Sequence, residues 1–205
     1  METDMRRKTF DMILSAGGAV LVVVLLVAGG LGLWGYNFAN SNVHSQLAQQ
    51  EITFPAAAAF AHAKAGTEIT PSMIGTVSKY AGQPLVTGQE AEVYANDFIA
   101  VHLQEIGGGK TYAQLSAASL ADPNNAKLAG QVATVFKGTT LRGLLLEAYA
   151  FSTFGEIALV ASIVSFVLAG IMLLLTLLGV VHLRRVPGDQ EFPKAHQPEK
   201  VLETV

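Results

Sequence analysis

Gly109-Lys110-Thr111 has the residue types that end a phosphate-binding loop, where backbone N–H groups and a lysine hold phosphate oxygens. The full pattern needs a glycine five residues before Gly109, and Gln104 stands there. The string therefore reads as a glycine-rich connection followed by a threonine helix cap. Imidazoles come from His44, His62, His102, His182 and His196. Zinc sites place two ligands within a turn or a short loop, whereas no two of these histidines are closer than 14 residues. His102 and Glu105 share a helix face, and a packing histidine beside a surface glutamate explains that pair. Carboxylates for acid–base work would come from Glu90, Glu92, Asp97 and Glu105, which read as a solvated helix face. With zero Cys there is no thiolate nucleophile and no Cys-ligated metal. No Gly-x-Ser-x-Gly elbow and no Ser-x-x-Lys occurs. The expectation is a non-enzyme with no catalytic, cofactor-binding or metal residues.

The distribution of charge is more telling. Only 14% of the 205 residues are charged, against about 25% in ordinary soluble domains. No Asp, Glu, Lys or Arg lies between Asp11 and Glu51, or between Glu156 and Arg184. Those gaps exclude a simple soluble enzyme and a disordered chain alike. A net charge of −3 gives no electrostatic reason to expect nucleic acid.

Each gap holds a long apolar run, residues 12–36 and 157–183. Both exceed the roughly 20 residues that a helix needs to cross a bilayer, and in lipid every backbone group must bond within the segment. The first run is too long for a signal-peptide core and lacks a good cleavage site, so it reads as an uncleaved anchor. Arg6, Arg7 and Lys8 precede span one, while Arg184 and Arg185 follow span two. Positive residues stay cytoplasmic, so both termini are expected inside and residues 37–156 outside. Trp34, Tyr36 and Phe38 leave span one, and Tyr149, Phe151 and Phe154 lead into span two at the same interface. The absence of ionisable side chains from the middle of either span argues against a proton relay, ion path or voltage sensor.

The resulting order is a cytoplasmic tail (1–11), transmembrane helix 1 (12–36), an extracytoplasmic domain (37–156), transmembrane helix 2 (157–183) and a disordered cytoplasmic tail (184–205). The outer domain reads as mainly helical. Thr87-Gly88-Gln89-Glu90 and Thr111-Tyr112-Ala113-Gln114 are capping boxes. Gly107-Gly108-Gly109 should stop the first helix and Asp122-Pro123 the second. A third is expected from about Asn125 to Phe136, broken by Gly138-Thr139-Thr140, before a stripe at Leu141, Leu144, Leu145, Ala148 and Tyr149. Pro71–Tyr80 is a shorter candidate. Phe54–Lys64 fits helix or loop, and Gln83–Val86 is too short to count as a strand.

Small residues mark a helix-packing face. Ala158, Ser162, Ser165 and Ala169 recur along one side of span two, and Ala28 and Gly32 form a small-xxx-small pair in span one. Such stripes let backbones approach closely, within one chain or between subunits. The final Glu203-Thr204-Val205 fits the C-terminal form that β-augmenting peptide-binding domains capture.

Arg6-Arg7-Lys8-Thr9-Phe10-Asp11, Trp34-Gly35-Tyr36-Asn37-Phe38-Ala39 and Thr140–Tyr149 with Phe154-Gly155 resemble strings of a family of actinobacterial two-pass membrane proteins of unknown function. The likeness covers most of residues 6–185. It implies a bacterial inner membrane and transfers no catalytic residue. The expected protein is an all-α membrane protein, two transmembrane helices flanking a mainly helical extracytoplasmic domain. Its partners are the lipid bilayer and a protein partner or further copies of itself, met through the small-residue faces. It serves as a scaffold or accessory subunit of an envelope or respiratory assembly. The alternatives are an extracytoplasmic ligand sensor without its own signalling domain, and a membrane-anchored enzyme.

Overall fold

The computed structural model describes residues 7–185. Arg6, the tail beyond Arg185 and the C-terminal Glu203-Thr204-Val205 lie outside the described residues. Among the described residues there are six α-helices: α1 Arg7–Ala48, α2 Ala57–Phe60, α3 Gly88–Val93, α4 Ala100–Gly107, α5 Tyr112–Ala121 and α6 Ala126–Arg185. Two 3-10 turns, Pro71–Met73 and Val77–Tyr80, and a π-helical turn, Tyr94–Ile99, complete the regular structure. Extended pairing is limited among these residues to one antiparallel bridge, Thr53 with Pro84. The chain divides into two compact units, one from residues 1–31 and 161–205, the other from 32–160.

In the first unit α1 and α6 run antiparallel. A side chain at Gly18 would meet Thr176, and one at Gly179 would meet Ser15. The less exposed positions of α1 are Asp11, Ser15, Gly18, Val22, Leu25 and Gly29. Those of α6 are Ser162, Ser165, Ala169, Met172, Thr176 and Gly179 with its neighbour Val180, followed by Leu183. Both sets alternate steps of three and four, the 3.5-residue period of a knobs-into-holes helix seam. Outside the seam the surface is apolar all round. Leu14 is 65% exposed, Val20 64%, Leu174 64% and Leu178 66%. The most apolar 18-residue stretches of the two helices have mean hydropathies of 2.6 and 2.7, with 11% of each buried. Both helices are long and apolar enough to cross a membrane.

The second unit has a conventional core. Phe54, Met73, Val77, Leu85, Ala91, Ala95 and Ile99 pack with Val43 and Leu47 of α1 and Leu145 of α6. Val43 and Leu47 continue the four-residue step from the buried Ala39, so the polar end of α1 stays helical by burying one stripe. Here α1 and α6 also touch. A Cβ at Gly155 would stand 2.9 Å from Ala39 Cβ, and one at Gly35 would stand 3.8 Å from Ala158 Cβ.

Both capping boxes form. Thr87 accepts from the Glu90 N–H while the Glu90 carboxylate accepts from the Thr87 N–H; Thr111 and Gln114 do the same. Gly108, with φ of 59°, ends α4 in the left-handed conformation that costs glycine least. The α5 stop at Asp122 and the α6 start at Ala126 agree with the expected signals, the latter capped by Asn125 Oδ1 accepting from the Leu128 N–H. Replacing Thr87 with Ala should remove one cap bond and cost about 1 kcal/mol. A lower thermal midpoint for Thr87→Ala than for Thr87→Ser checks this.

Four expectations need correction. The break at Gly138-Thr139-Thr140 is absent, and α6 runs through it. Gly138 is a close-approach residue instead: its Cβ would lie 2.4 Å from Leu103 Cδ2. A helical glycine costs about 1 kcal/mol, and packing against Leu103 offsets it. Pro71–Tyr80 is two 3-10 turns, separated where Gly75 takes φ of 92°. The first outer helix carries the π turn at Tyr94–Ile99, which capping and periodicity do not announce. Arg184 and Arg185, assigned to the disordered tail, continue α6.

Candidate functional site

The small-residue face falls partly in each unit. In the first unit Ser162 is 1% exposed and Ala169 2%. Ser162 Oγ donates to the Gly29 carbonyl at 2.6 Å, a buried bond from one helix to the backbone of the other. Ser165 is half-buried and its hydroxyl turns back onto its own helix, donating to the Ala161 carbonyl at 2.8 Å. Ala28 lies on the exposed side of α1, and Gly29 occupies the seam beside it. A Cβ at Gly29 would stand 2.8 Å from Phe166 Cε1. In the second unit Gly32 and Ala158 are both half-buried, and Ala158 faces Gly35.

The four-residue spacing of Ala28 and Gly32 marks a helix that can be approached closely; within the chain Ala28 is exposed, and Gly29 is the residue that α6 approaches. The signal that finds Gly29 is the longer alternation, Gly18, Val22, Leu25, Gly29. Its counterpart on α6 includes Thr176, whose buried Oγ1 has no hydrogen-bond partner among the described residues. Asp11 Oδ2 is in the same position near the start of α1. A similar close approach in the second unit was also hidden. A Cβ at Gly88 would lie 2.3 Å from Ser152 Cβ, so α3 begins directly against α6.

Several residues whose types could do chemistry make local structural bonds. Glu90 is 9% exposed, and its Oε2 accepts from the Val86 and Thr87 N–H groups, each at 2.8 Å. Glu105 Oε1 accepts from the Gly66 N–H at 3.3 Å. His102 bonds through Nδ1 to the Phe98 carbonyl at 2.7 Å. Lys110 sits in the exposed connection between the left-handed Gly109 and the α5 cap. Among the described residues no three of His, Asp or Glu gather as a metal site would need. Arg142 Nη2 donates to Asn96 Oδ1 at 2.7 Å, tying α6 to the π turn. Aromatic rings run through the unit in contact, Tyr80 to Phe54 to Tyr94 to Phe98 to His102, with centroids 4.5–5.3 Å apart.

Of these bonds, Arg142 to Asn96 and Ser162 to Gly29 join separate helices, while Glu90 and His102 bond within their own local segments. Comparison with protein-family models, curated proteins and solved structures gives no match.

Proposed function

We propose that the chain is a non-enzymatic integral protein of a bacterial inner membrane, a scaffold or accessory subunit that contacts a protein partner. In this reading α1 and α6 cross the bilayer, both termini are cytoplasmic, and residues 37–156 form the extracytoplasmic domain. The observation that carries it is the apolar surface of α1 and α6 outside their seam. A helix that is hydrophobic all round belongs in a protein core or in lipid, and the 11% burial of these stretches supports lipid as the medium. The basic residues Arg6, Arg7, Lys8, Arg184 and Arg185 support the orientation. The scaffold role is supported by the structural use of Glu90, Glu105 and His102 described above. Exposed Leu120 (82%) and Phe136 (53%) on the second unit offer apolar surface to a partner.

The absence of cysteine makes single-cysteine labelling clean. Ser41→Cys and Ala121→Cys should react with a membrane-impermeant maleimide in intact cells, and Ala195→Cys only after lysis. Labelling at position 195 alone would overturn the orientation. Purification in mild detergent should retain a stable partner protein; a chain that purifies alone as a monomer would overturn the accessory-subunit role.

A further inference from the structure

A groove of about 420 Å³ runs along the second unit between α1 and α6. Its volume lies in the range of about 300–1,000 Å³ typical of small-molecule sites. Val43 and Leu47 of α1 and Leu145 of α6 are the buried part of its lining. Leu141, Leu144, Ala148 and Phe151 continue the lining along α6, and Leu144 is 58% exposed. The polar lining groups are Gln46, Gln50 and Glu147, all exposed. No lysine, arginine or histidine is among the lining residues.

From Leu141 to Phe151 the lining follows about 15 Å of α6. Its lower end meets an aromatic cluster. The Phe151 ring stands edge-on to Phe38 at 6.4 Å, and Phe38 stacks on Trp34 at 5.5 Å. Beyond the cluster, in the same unit, Leu33, Ile157 and Val160 are exposed. The apolar lining therefore passes, through the kind of rings that mark a membrane–water interface, into the apolar surface of the two long helices. Along α6, Phe151 stands about 9 Å and Leu141 about 24 Å outside Ile157. The headgroup layer adds only about 5–7 Å to each side of the hydrocarbon. The groove thus lies at and beyond that layer, where apolar surface faces water unless something apolar covers it. A lining without a cation offers an anion no partner. An uncharged hydrocarbon chain matches it, and a bilayer supplies such chains directly at the groove's lower end.

We propose that this groove takes up one acyl chain of a bilayer phospholipid, turned out of the hydrocarbon past Phe151 so that its methylenes lie against Val43, Leu47 and Leu144. The headgroup stays at the level of the aromatic cluster. Seating the chain removes the apolar surface of Leu144 and Phe151 from water. The inference rests on the membrane reading above and adds to it a lipid-chain site outside the bilayer.

The test is photo-labelling of the full chain in vesicles of phosphatidylethanolamine and phosphatidylglycerol. The probe is a trace of phosphatidylcholine carrying a diazirine at the end of one acyl chain. Chain ends in a bilayer lie near its midplane, so the spans should be labelled around Leu168. Label within residues 141–151 reports a chain drawn out of the bilayer, and it should appear as well. Leu144→Glu sets a carboxylate in the lining and should lower that second label at least about tenfold, leaving the span label unchanged. Leu141→Glu, one turn away, should act alike. Both leucines are exposed, so the variants should keep the parent circular-dichroism spectrum. Span label without label at 141–151 would overturn the groove and leave the membrane reading standing. No label anywhere would overturn the membrane reading and the groove with it. Label at 141–151 that is indifferent to both substitutions would overturn the groove as its site. Ready disulfide formation between two Leu144→Cys chains in the vesicles would overturn the lipid in favour of a second copy of the protein.

Discussion

Phe54→Ala should cost the second unit about 3–5 kcal/mol, the range for deleting a fully buried aromatic ring. Phe54 is 2% exposed and packs with Met73, Val77 and Leu85, none of which exceeds 0% exposure. Its ring stacks on Tyr80 at 5.2 Å and meets Tyr94 edge-on at 5.3 Å, so truncation also removes two aromatic pairs. Its backbone is tied too, the Phe54 N–H donating to the Gln83 carbonyl at 2.9 Å. The segment around it has little regular structure of its own: one four-residue helix, two 3-10 turns and a single bridge. Such a segment holds its shape through side-chain burial, and total domain stability is only about 5–15 kcal/mol. The expected result is a large fall in thermal midpoint and new proteolytic cleavage within residues 49–87. Phe136→Ala is the comparison. Phe136 is 53% exposed and has one ring partner, Tyr112 at 5.4 Å, so its loss should stay near about 1 kcal/mol. Equal effects of the two substitutions would remove Phe54 from the centre of the core.

How far these features can be read from the sequence depends on the range of the physics behind them. Capping boxes are local: Thr87 with Glu90 and Thr111 with Gln114 involve residues three apart, and both form where their spacing places them. The Gly107-Gly108-Gly109 stop is local in the same sense, because a left-handed C-cap needs only the glycine itself. The two apolar runs are equally legible, since composition over some 20 residues decides whether a helix suits lipid. Gly138 is where local reasoning fails. Glycine followed by two threonines weakens a helix by propensity, yet Leu103, 35 residues earlier, supplies the packing that keeps α6 intact. The π turn fails for a related reason. It alters the direction of side chains between Tyr94 and Ile99, and its link to Arg142 through Asn96 spans 46 residues. The small-residue face lies between these cases. Ser162 and Ala169 are buried, but the partner backbone belongs to Gly29, and only the alternating period over several turns separates it from Ala28. A further groove on the second unit is not legible either, because its lining brings together residues as distant as Glu68, His102 and Lys137, which share no local pattern.

The neighbouring glycines Gly29 and Gly30 give the sharpest test of the seam. Gly29 is buried, and a Cβ there would meet three carbons of the Phe166 ring at 2.8–3.0 Å. Gly30 is exposed, with nothing within 4 Å of an added Cβ. Gly29→Leu should push α6 away, at an overpacking cost of about 1–3 kcal/mol. The same displacement breaks the bond from Ser162 Oγ to the Gly29 carbonyl, and bonds of this kind contribute about 0.6–2 kcal/mol between membrane helices. Gly30→Leu carries neither penalty and gains helix propensity of up to about 1 kcal/mol. The readout is a disulfide between Ser15→Cys and Gly179→Cys. An added Cβ at Gly179 lies 4.0 Å from Ser15 Cβ, within the spacing of about 3.5–4.5 Å that a disulfide requires. The double-cysteine chain should therefore cross-link readily within itself. Adding Gly29→Leu should slow that reaction severalfold, and adding Gly30→Leu should leave it unchanged. Equal rates in the two backgrounds would mean that the helices do not meet through Gly29. A cross-link forming only between chains would assign the seam to a second copy of the protein.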